Sequence, residues 1–454
     1  MNRTSPHLPT RGTRASQSAS SSKLHGRRGL SGALLAGLAL FVTAVPLACA
    51  RRAGGAEAGA EAGPAAASAG PRAKVASRTA QAVYDSVRRV LDAGVASGAF
   101  PGAWAAVGTP DGVVAVYGAG QLDSADATRP DANTVWDLAS LTKVIGTTSA
   151  VARLVADGAV ALDTPVVRYL PQWTARGAER VTVRHLLTHS SGLPAWRALY
   201  KEAATREEAL TQVFATAPDT LPGLRFVYSD LGFILLGQLV ERVSGTTLAD
   251  FEARQIFGPL GMRETRFLPP STWLARTAPT ERDPWRQRHL RGEVHDENAH
   301  RLGGVSGHAG LFSTGRDLVR FARMYLNHGR LDGVRVLDSA TLATFTRVQD
   351  SSVSRRALGW ETPTGGNSAG RRLSARAFGH TGFTGTSLWM DPEQQLFVLL
   401  LTNRVNPTRE SRGIGTVRTA LADAVSQAMA SASTSLSPSS SPSSYPSAAG
   451  TGRR

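Results

Sequence analysis

Two largely apolar runs near the end of the chain, Ser387-Leu-Trp-Met-Asp391 and Leu396-Phe-Val-Leu-Leu-Leu-Thr402, are separated only by Pro392-Glu-Gln-Gln395. Short apolar runs on either side of a turn read as paired strands. A helix, Gly415 to Met429, follows them. Far upstream the order is mirrored. Thr79 to Ala96 sets Ala82, Val83, Val87, Val90 and Leu91 near helical spacing. Then Gly102-Ala-Trp-Ala-Ala-Val-Gly108 and Gly112-Val-Val-Ala-Val-Tyr-Gly118 flank Thr109-Pro-Asp-Gly112, a hairpin signal. Helix and strands thus open the domain, and strands and helix close it. The two ends are expected to share one sheet in an α/β (α+β) domain over residues 77–430, with sheet parts about 77–150 and 300–430. Between them, about 150–300, the chain is helical and loop-rich, with helical stretches at Leu231–Val243 and, just beyond, Gly315–Asn327. This middle is expected to form a second subdomain.

The flanks are of another kind. Residues 1–50 carry Arg3, Arg11, Arg14, Lys23, Arg27 and Arg28 and no acid, and the apolar run Leu30–Ala50 follows the basic side chains. Basic flank, apolar core and small residues together read as a secretory signal. Cleavage at Ala48-Cys49-Ala50, lipidation of Cys49 and an uncleaved membrane anchor are three outcomes that this pattern leaves open. Export, to a periplasmic or cell-envelope location, is the expectation under each. Cys49 is the single cysteine, so no intrachain disulfide can form. Residues 51–76 read as a flexible linker, and 431–454, rich in Ser, Pro and Ala, as a disordered tail. The formal charge is +16, of which the leader supplies six. No basic run is interleaved with aromatics and no zinc-ligand spacing occurs, so nucleic acid is not an expected partner.

Of 51 basic side chains only four are lysines: Lys23, Lys74, Lys143 and Lys201. Lys143 stands three residues after Ser140 at the start of a helical stretch, Asp137 to Gly158. Residues at i and i+3 share a helix face, and free N–H groups at a helix start favour developing negative charge. A hydroxyl is a weak nucleophile until a base takes its proton. Lysine can act as that base when burial and neighbours lower its pKa, whereas arginine stays protonated. Two further pieces stand downstream. Tyr228-Ser-Asp230 precedes the helix Leu231–Val243. His380-Thr-Gly-Phe-Thr-Gly385 precedes the strand Ser387–Met390, and its glycines permit close backbone approach and N–H groups aimed at an oxyanion. His189 and His308 read as core hydrogen-bonding histidines, and Val294-His-Asp-Glu-Asn298 as a loop at a cleft edge rather than a metal site. An α/β-hydrolase is not expected.

In this order the three pieces resemble the penicillin-recognising serine hydrolases: class C β-lactamases, low-molecular-weight penicillin-binding proteins and related esterases. The family pattern is Ser-x-x-Lys, Tyr-x-Asn and Lys-Thr-Gly. Here it reads Ser140-Leu-Thr-Lys143, Tyr228-Ser-Asp230 and His380-Thr-Gly382. The segments 181–194, 303–314 and 358–360 are similar too. The resemblance implies a β-lactamase/transpeptidase-like fold: a mainly antiparallel sheet flanked by helices, with an adjoining helical subdomain. It implies Ser140 as nucleophile, Lys143 and Tyr228 sharing the proton work, and the N–H groups of Ser140 and Phe383 as oxyanion donors. Asp230, His380, Thr381 and Gly382 would then line the substrate site. No metal or cofactor is implied. The expected activity is hydrolysis of amide or ester bonds through an acyl-enzyme, on a D-alanyl wall peptide or another small molecule. A β-lactamase or carboxylesterase is the alternative within the family, and a silent wall-peptide or β-lactam binding protein the alternative outside catalysis. Two positions depart from the pattern: Asp230 replaces Asn, and His380 replaces a lysine that commonly faces the substrate carboxylate.

Overall fold

The computed structural model describes residues 71–434. The leader with Cys49, most of the linker and the tail beyond 434 lie outside them. Helix α1 (Pro71–Ala96) begins earlier than the apolar spacing suggests; proline suits a first helical position and the alanines that follow propagate a helix. Strands β1 (Gly102–Gly108) and β2 (Val113–Gly120) form the hairpin, closed where the Thr109 N–H donates to the Gly112 carbonyl at 2.8 Å. Strand β3 (Val135–Asp137) leads into a helical segment, 139–148, and then helix α2 (Ser149–Ala156). Helices α3 (Asp230–Ser244) and α4 (Leu248–Glu252) precede strands β4 (Arg266–Phe267) and β5 (Leu311–Thr314) and helix α5 (Gly315–Leu326). The chain closes with β6 (Phe378–Thr381), β7 (Ser387–Asp391), β8 (Leu396–Thr402) and α6 (Ile414–Thr434).

The main sheet runs β6-β7-β8-β1-β2 with every neighbour antiparallel. Strands β1 and β8 are buried along their whole length, as a central strand without a polar face must be. Side chains alternate across the pleat. Leu399 and Leu401 of β8 join Trp104 and Ala106 of β1 on the face that packs against α5 and the helical region. Val398 and Leu400 join Ala103, Ala105 and Val107 on the other face, under Val83, Val87 and Leu91 of α1 and Val417, Leu421 and Val425 of α6. Burying each leucine is worth about 1.5–3 kcal/mol, so the N- and C-terminal helices are held to the same sheet by one shared core. Strand β2 lies at the edge, and Val113 and Val116 on it remain exposed.

A second, three-stranded sheet, β3-β5-β4, has no counterpart in the sequence reading. Its outer strands are only three and two residues long, too short to show a period. It is nevertheless what positions Ser140. Val135 pairs with Thr314 and Asp137 with Phe312, and the Leu138 N–H continues the ladder to the Leu311 carbonyl at 2.9 Å.

Candidate active site

Ser140 lies directly beyond β3, at a turn held under strain. Ala139 has φ +46°, a left-handed conformation that alanine adopts at a cost of about 1–3 kcal/mol. The buried Asp137 carboxylate holds it there, accepting the Ala139 N–H at 2.8 Å through Oδ1 and the His295 N–H at 2.6 Å through Oδ2. Burial pushes the Asp137 carboxyl above its ordinary range, against the pull of those two N–H groups. Ser140 is the middle residue of a 3-10 turn, Ala139–Leu141, and a π-helical segment, Lys143–Thr148, follows before α2. The sequence reading expected one continuous helix here. π-Helical segments are frequent at functional sites because they re-aim a side chain.

Lys143 is fully buried. Its Nζ donates to Ser140 Oγ at 3.1 Å and to the His308 carbonyl at 2.9 Å, and stands 2.8 Å from Asp230 Oδ1. Burial acts to lower the lysine pKa, but the charge of Asp230 and the Tyr228 hydroxyl outweigh it, and the net displacement is upward. The sequence reading let burial and neighbours lower the lysine pKa; here burial does pull it down, but the Asp230 carboxylate pulls harder the other way and favours the ammonium. Asp230 is the first residue of α3, and the preceding Ser229 caps that helix, its Oγ accepting the Gly232 N–H at 3.3 Å.

Tyr228 stands at this loop-to-helix junction. His189 pins it: the His189 ring lies 4.4 Å from the Tyr228 ring, and Nδ1 accepts the Ser229 N–H at 3.0 Å. This is the core hydrogen-bonding role expected of His189, and it requires the neutral Nε2–H tautomer. The Tyr228 hydroxyl interacts with both Ser140 and Lys143. Burial raises its pKa, the Lys143 charge opposes this and Asp230 adds to it, with a net rise. His308, also read as structural, bonds Asp296 Oδ1 through Nε2 at 2.9 Å and Ser306 Oγ through Nδ1 at 2.8 Å, which fixes the carbonyl that Lys143 uses.

The third piece faces these residues from β6. His380 is 1% exposed, and its ring lies 5.9 Å from that of Tyr228. Nδ1 donates to the Thr381 carbonyl at 2.8 Å, while Nε2 is sealed from water without a partner among the described residues. Burial, with Arg356 and Lys143 nearby, holds its pKa well below 6.5. The imidazole is neutral.

Beyond Thr381 the chain turns tightly against β3. The Gly382 N–H donates to the Thr386 carbonyl at 2.7 Å and the Gly385 N–H to the Gly382 carbonyl at 3.0 Å. A Cβ on Gly382 would stand 2.4 Å from the Leu138 carbonyl oxygen, so only glycine permits this approach. Thr384 Oγ1 donates to the Asp137 carbonyl at 2.8 Å and Thr386 Oγ1 to the Leu138 carbonyl at 3.1 Å. The turn that carries Phe383 is thereby stitched to the turn that carries Ser140. The Phe383 ring is half exposed, stacked on His295 at 5.6 Å and beneath the Arg404 guanidinium at 4.5 Å. His295 itself bonds Glu281 at 2.9 Å, and the segment 294–298 edges the cleft as expected.

The structure therefore gathers Ser140, Tyr228 and Asp230 around Lys143, with His380 beside Tyr228 and the 381–383 turn packed against the turn that carries Ser140. Sequence reasoning missed Asp137, Arg356, Arg404 and Arg418. Asp137 had a local signal, a carboxylate just ahead of the motif. The arginines had none in a chain so rich in them.

A buried cation bonded to a hydroxyl at a strained turn, on a β-lactamase/transpeptidase-like fold, defines a serine hydrolase. A family model described as Beta-lactamase matches residues 87–422, and the chain belongs to that family. An N-acetylmuramyl-L-alanine amidase of Bacillus subtilis (strain 168) is 32% identical over 370 residues, 72% of this chain and 83% of the relative. A Salmonella schwarzengrund protein named as a D-alanyl-D-alanine carboxypeptidase is 31% identical over 310 residues, 61% of this chain and 71% of the relative. Among solved structures, a penicillin-binding protein homologue from Caulobacter crescentus superimposes with TM-score 0.64 at 21% identity, covering 76% of this chain and 97% of that one. A family VIII carboxylesterase superimposes with TM-score 0.61 at 22% identity, covering 76% and 97%. At those identities the structural likeness speaks for the fold alone.

Proposed function

We propose that this serine hydrolase is exported and opens D-alanyl amide bonds of wall peptides through an acyl-enzyme on Ser140. The observation that carries the reading is the 3.1 Å bond between Ser140 Oγ and the buried Lys143 ammonium, itself tied to Asp230. The basic and apolar leader supports export, and the two relatives named for wall-peptide hydrolysis support the substrate class.

Ser140 Oγ attacks the scissile carbonyl, and the oxyanion that forms is met by the N–H groups of Ser140 and Phe383. Neither N–H has a chain acceptor among the described residues. Lys143 and Tyr228 are both in their protonated forms at rest, since each pKa is raised. Attack therefore proceeds through the minority of molecules in which one of them is deprotonated, and the rate climbs with pH. The proton taken from Ser140 passes to the departing amine, and water later releases the acyl group from Ser140 with proton transfer through the same pair. Asp230 accepts a substrate N–H where the family's Asn would also donate.

A second reading has its own support. With His380 neutral and the exposed Phe383 and Phe226 standing against His295 and His189 beside the site, a neutral ester with an apolar acyl group meets no charge requirement. A panel of D-Ala-D-Ala peptide, nitrophenyl esters and nitrocefin separates the readings by kcat/KM. Ser140→Ala is expected to fold normally and to lose both turnover and labelling by a fluorescent penicillin or a fluorophosphonate. Labelling of Ser140→Ala at the wild-type rate removes Ser140 as nucleophile. Wild-type protein that binds the peptide but never labels is the silent binding module.

A further inference from the structure

Arg418 stands on α6, a helix that packs on the far face of the sheet from α5. Its guanidinium nevertheless reaches the turn beyond β6. One nitrogen, Nη2, donates to the Gly382 carbonyl at 2.7 Å and to the Thr386 carbonyl at 2.8 Å, and Nε is sealed from water with no partner among the described residues. The Gly382 carbonyl belongs to the same peptide unit as the Phe383 N–H. That unit is planar and trans, so its C=O and N–H point in opposite directions. An arginine that fixes the carbonyl on one side fixes the direction of the N–H on the other. It also places a positive charge at the negative end of the peptide dipole, which makes the N–H a stronger donor, because hydrogen bonds in a chain polarise one another.

We infer that Arg418 is a positioning residue for the oxyanion site: it aims and polarises the Gly382–Phe383 peptide whose N–H receives the developing negative charge. The inference rests on the reading of Ser140 as nucleophile and Phe383 N–H as donor. Arg404 completes the arrangement by holding the next carbonyl, that of Phe383, through Nε at 2.7 Å. Both carbonyls around the donor are thus tied to arginines while the N–H between them is left for the substrate. Burial lowers the Arg418 pKa only to about 10, so the charge is present throughout the neutral range. A brace serving stability alone would need to hold the turn but would gain nothing from charge.

The test uses Arg418→Met and Arg418→Lys in the full chain, with the substrate of the panel that wild type turns over fastest. Loss of a whole oxyanion donor costs about 100- to 1,000-fold in kcat; loss of its aiming and polarisation is expected to cost roughly 10- to 100-fold, by the same measure. KM should stay within about threefold, since the ground-state carbonyl asks little of the site. A boronic acid, whose adduct with Ser140 is tetrahedral and anionic, should lose affinity by a factor matching the loss in kcat. Arg418→Lys, which keeps a charge and a donor, should recover most of both. If Arg418→Met does not accumulate as folded protein, Arg418→Gln carries the same comparison, keeping a donor without charge. A variant that melts lower yet keeps kcat and boronate affinity within twofold overturns the inference and makes Arg418 a brace. A rise in KM at unchanged kcat overturns it as well. Should Ser140→Ala still turn over substrate, the underlying reading fails instead, and the two failures are told apart by that control.

Discussion

Asp230→Asn restores the residue usual in the family and isolates the charge that this chain adds to the cleft. Asp230 Oδ1 lies 2.8 Å from Lys143 Nζ, and the two side chains are 19% and 0% exposed. At an effective dielectric near 20, unit charges at that separation attract by about 6 kcal/mol. Much of this is cancelled by the desolvation of both ions. If only about 1.4 kcal/mol of it survives as a preference for the protonated state, the fraction able to accept the Ser140 proton changes roughly tenfold. The sign does not depend on which group is the base. Asp230 raises the pKa of Lys143 and of Tyr228 alike, so its removal lowers both, and the rising limb of the pH–rate profile moves toward acid. Profiles of kcat/KM from pH 5 to 10 on one nitrophenyl ester and one D-Ala-D-Ala peptide measure this, with a melting curve as control. The variant should be roughly ten times the more active protein on the acidic part of the limb. The pair's contribution to stability is present throughout the neutral range and fades only as pH rises through the raised lysine pKa, so wild type should melt higher at pH 7. A limb that stays in place, or moves to higher pH, in a folded Asp230→Asn protein refutes the assignment of either group as base.

His380→Lys should not create a carboxylate anchor. The site is sealed and already faces Lys143, Arg356 and Arg418, so an ammonium there is expected to destabilise the fold by on the order of 3 kcal/mol; a gain of tenfold or more on D-Ala-D-Ala peptide over neutral ester, in a variant that melts like wild type, contradicts this. Glu252 of α4 is fully buried, its two oxygens lack partners among the described residues, and burial alone raises its pKa well above 4.5. The raised pKa favours the fold most below pH 4.5 and costs stability as pH rises, so Glu252→Met should melt higher at pH 8 by an amount that shrinks toward pH 4.5; melting curves in matched buffers with no such pH trend count against it.

What could be read from the sequence follows the range over which each signal acts. Strands β7 and β8 fall at Ser387–Asp391 and Leu396–Thr402, because a short apolar run between turns has few alternatives to a buried strand. Helix α3 begins at Asp230 because Ser229 is a capping residue in front of an apolar stretch. The segment after Ser140 was read as plain helix, and the sequence Lys143-Val-Ile-Gly-Thr-Thr148 gives little hint otherwise. The left-handed Ala139 is held by the neighbouring Asp137 carboxylate, and the turn around it is pinned by β5 and by Thr384 and Thr386, which lie far away in sequence. The candidate site divides in the same way. Ser140 and Lys143 are a short-range pair, and lysine scarcity marked one of them. Arg356, Arg404 and Arg418 carry no such mark among 51 basic side chains; only the folded chain singles them out.

The two departures from the family pattern act together on charge. With lysine at 143 and 380 and asparagine at 230, three positions would carry two cations. Here Lys143 is balanced by Asp230 and His380 is neutral, so the same positions carry no net charge. Two arginines stand near these positions. Arg356 stacks over Phe226 at 5.1 Å and Tyr228 at 5.4 Å, paired with Glu361 at 3.1 Å, and Arg418 sits behind the Gly382 turn. These arginines stay charged through neutral pH, where Lys143 is held charged and His380 neutral. The charge presented to a substrate is consequently constant through neutral pH. The pH dependence of turnover then reports the transfer of the Ser140 proton and little else, which is why replacing the single carboxylate at 230 tests the whole arrangement.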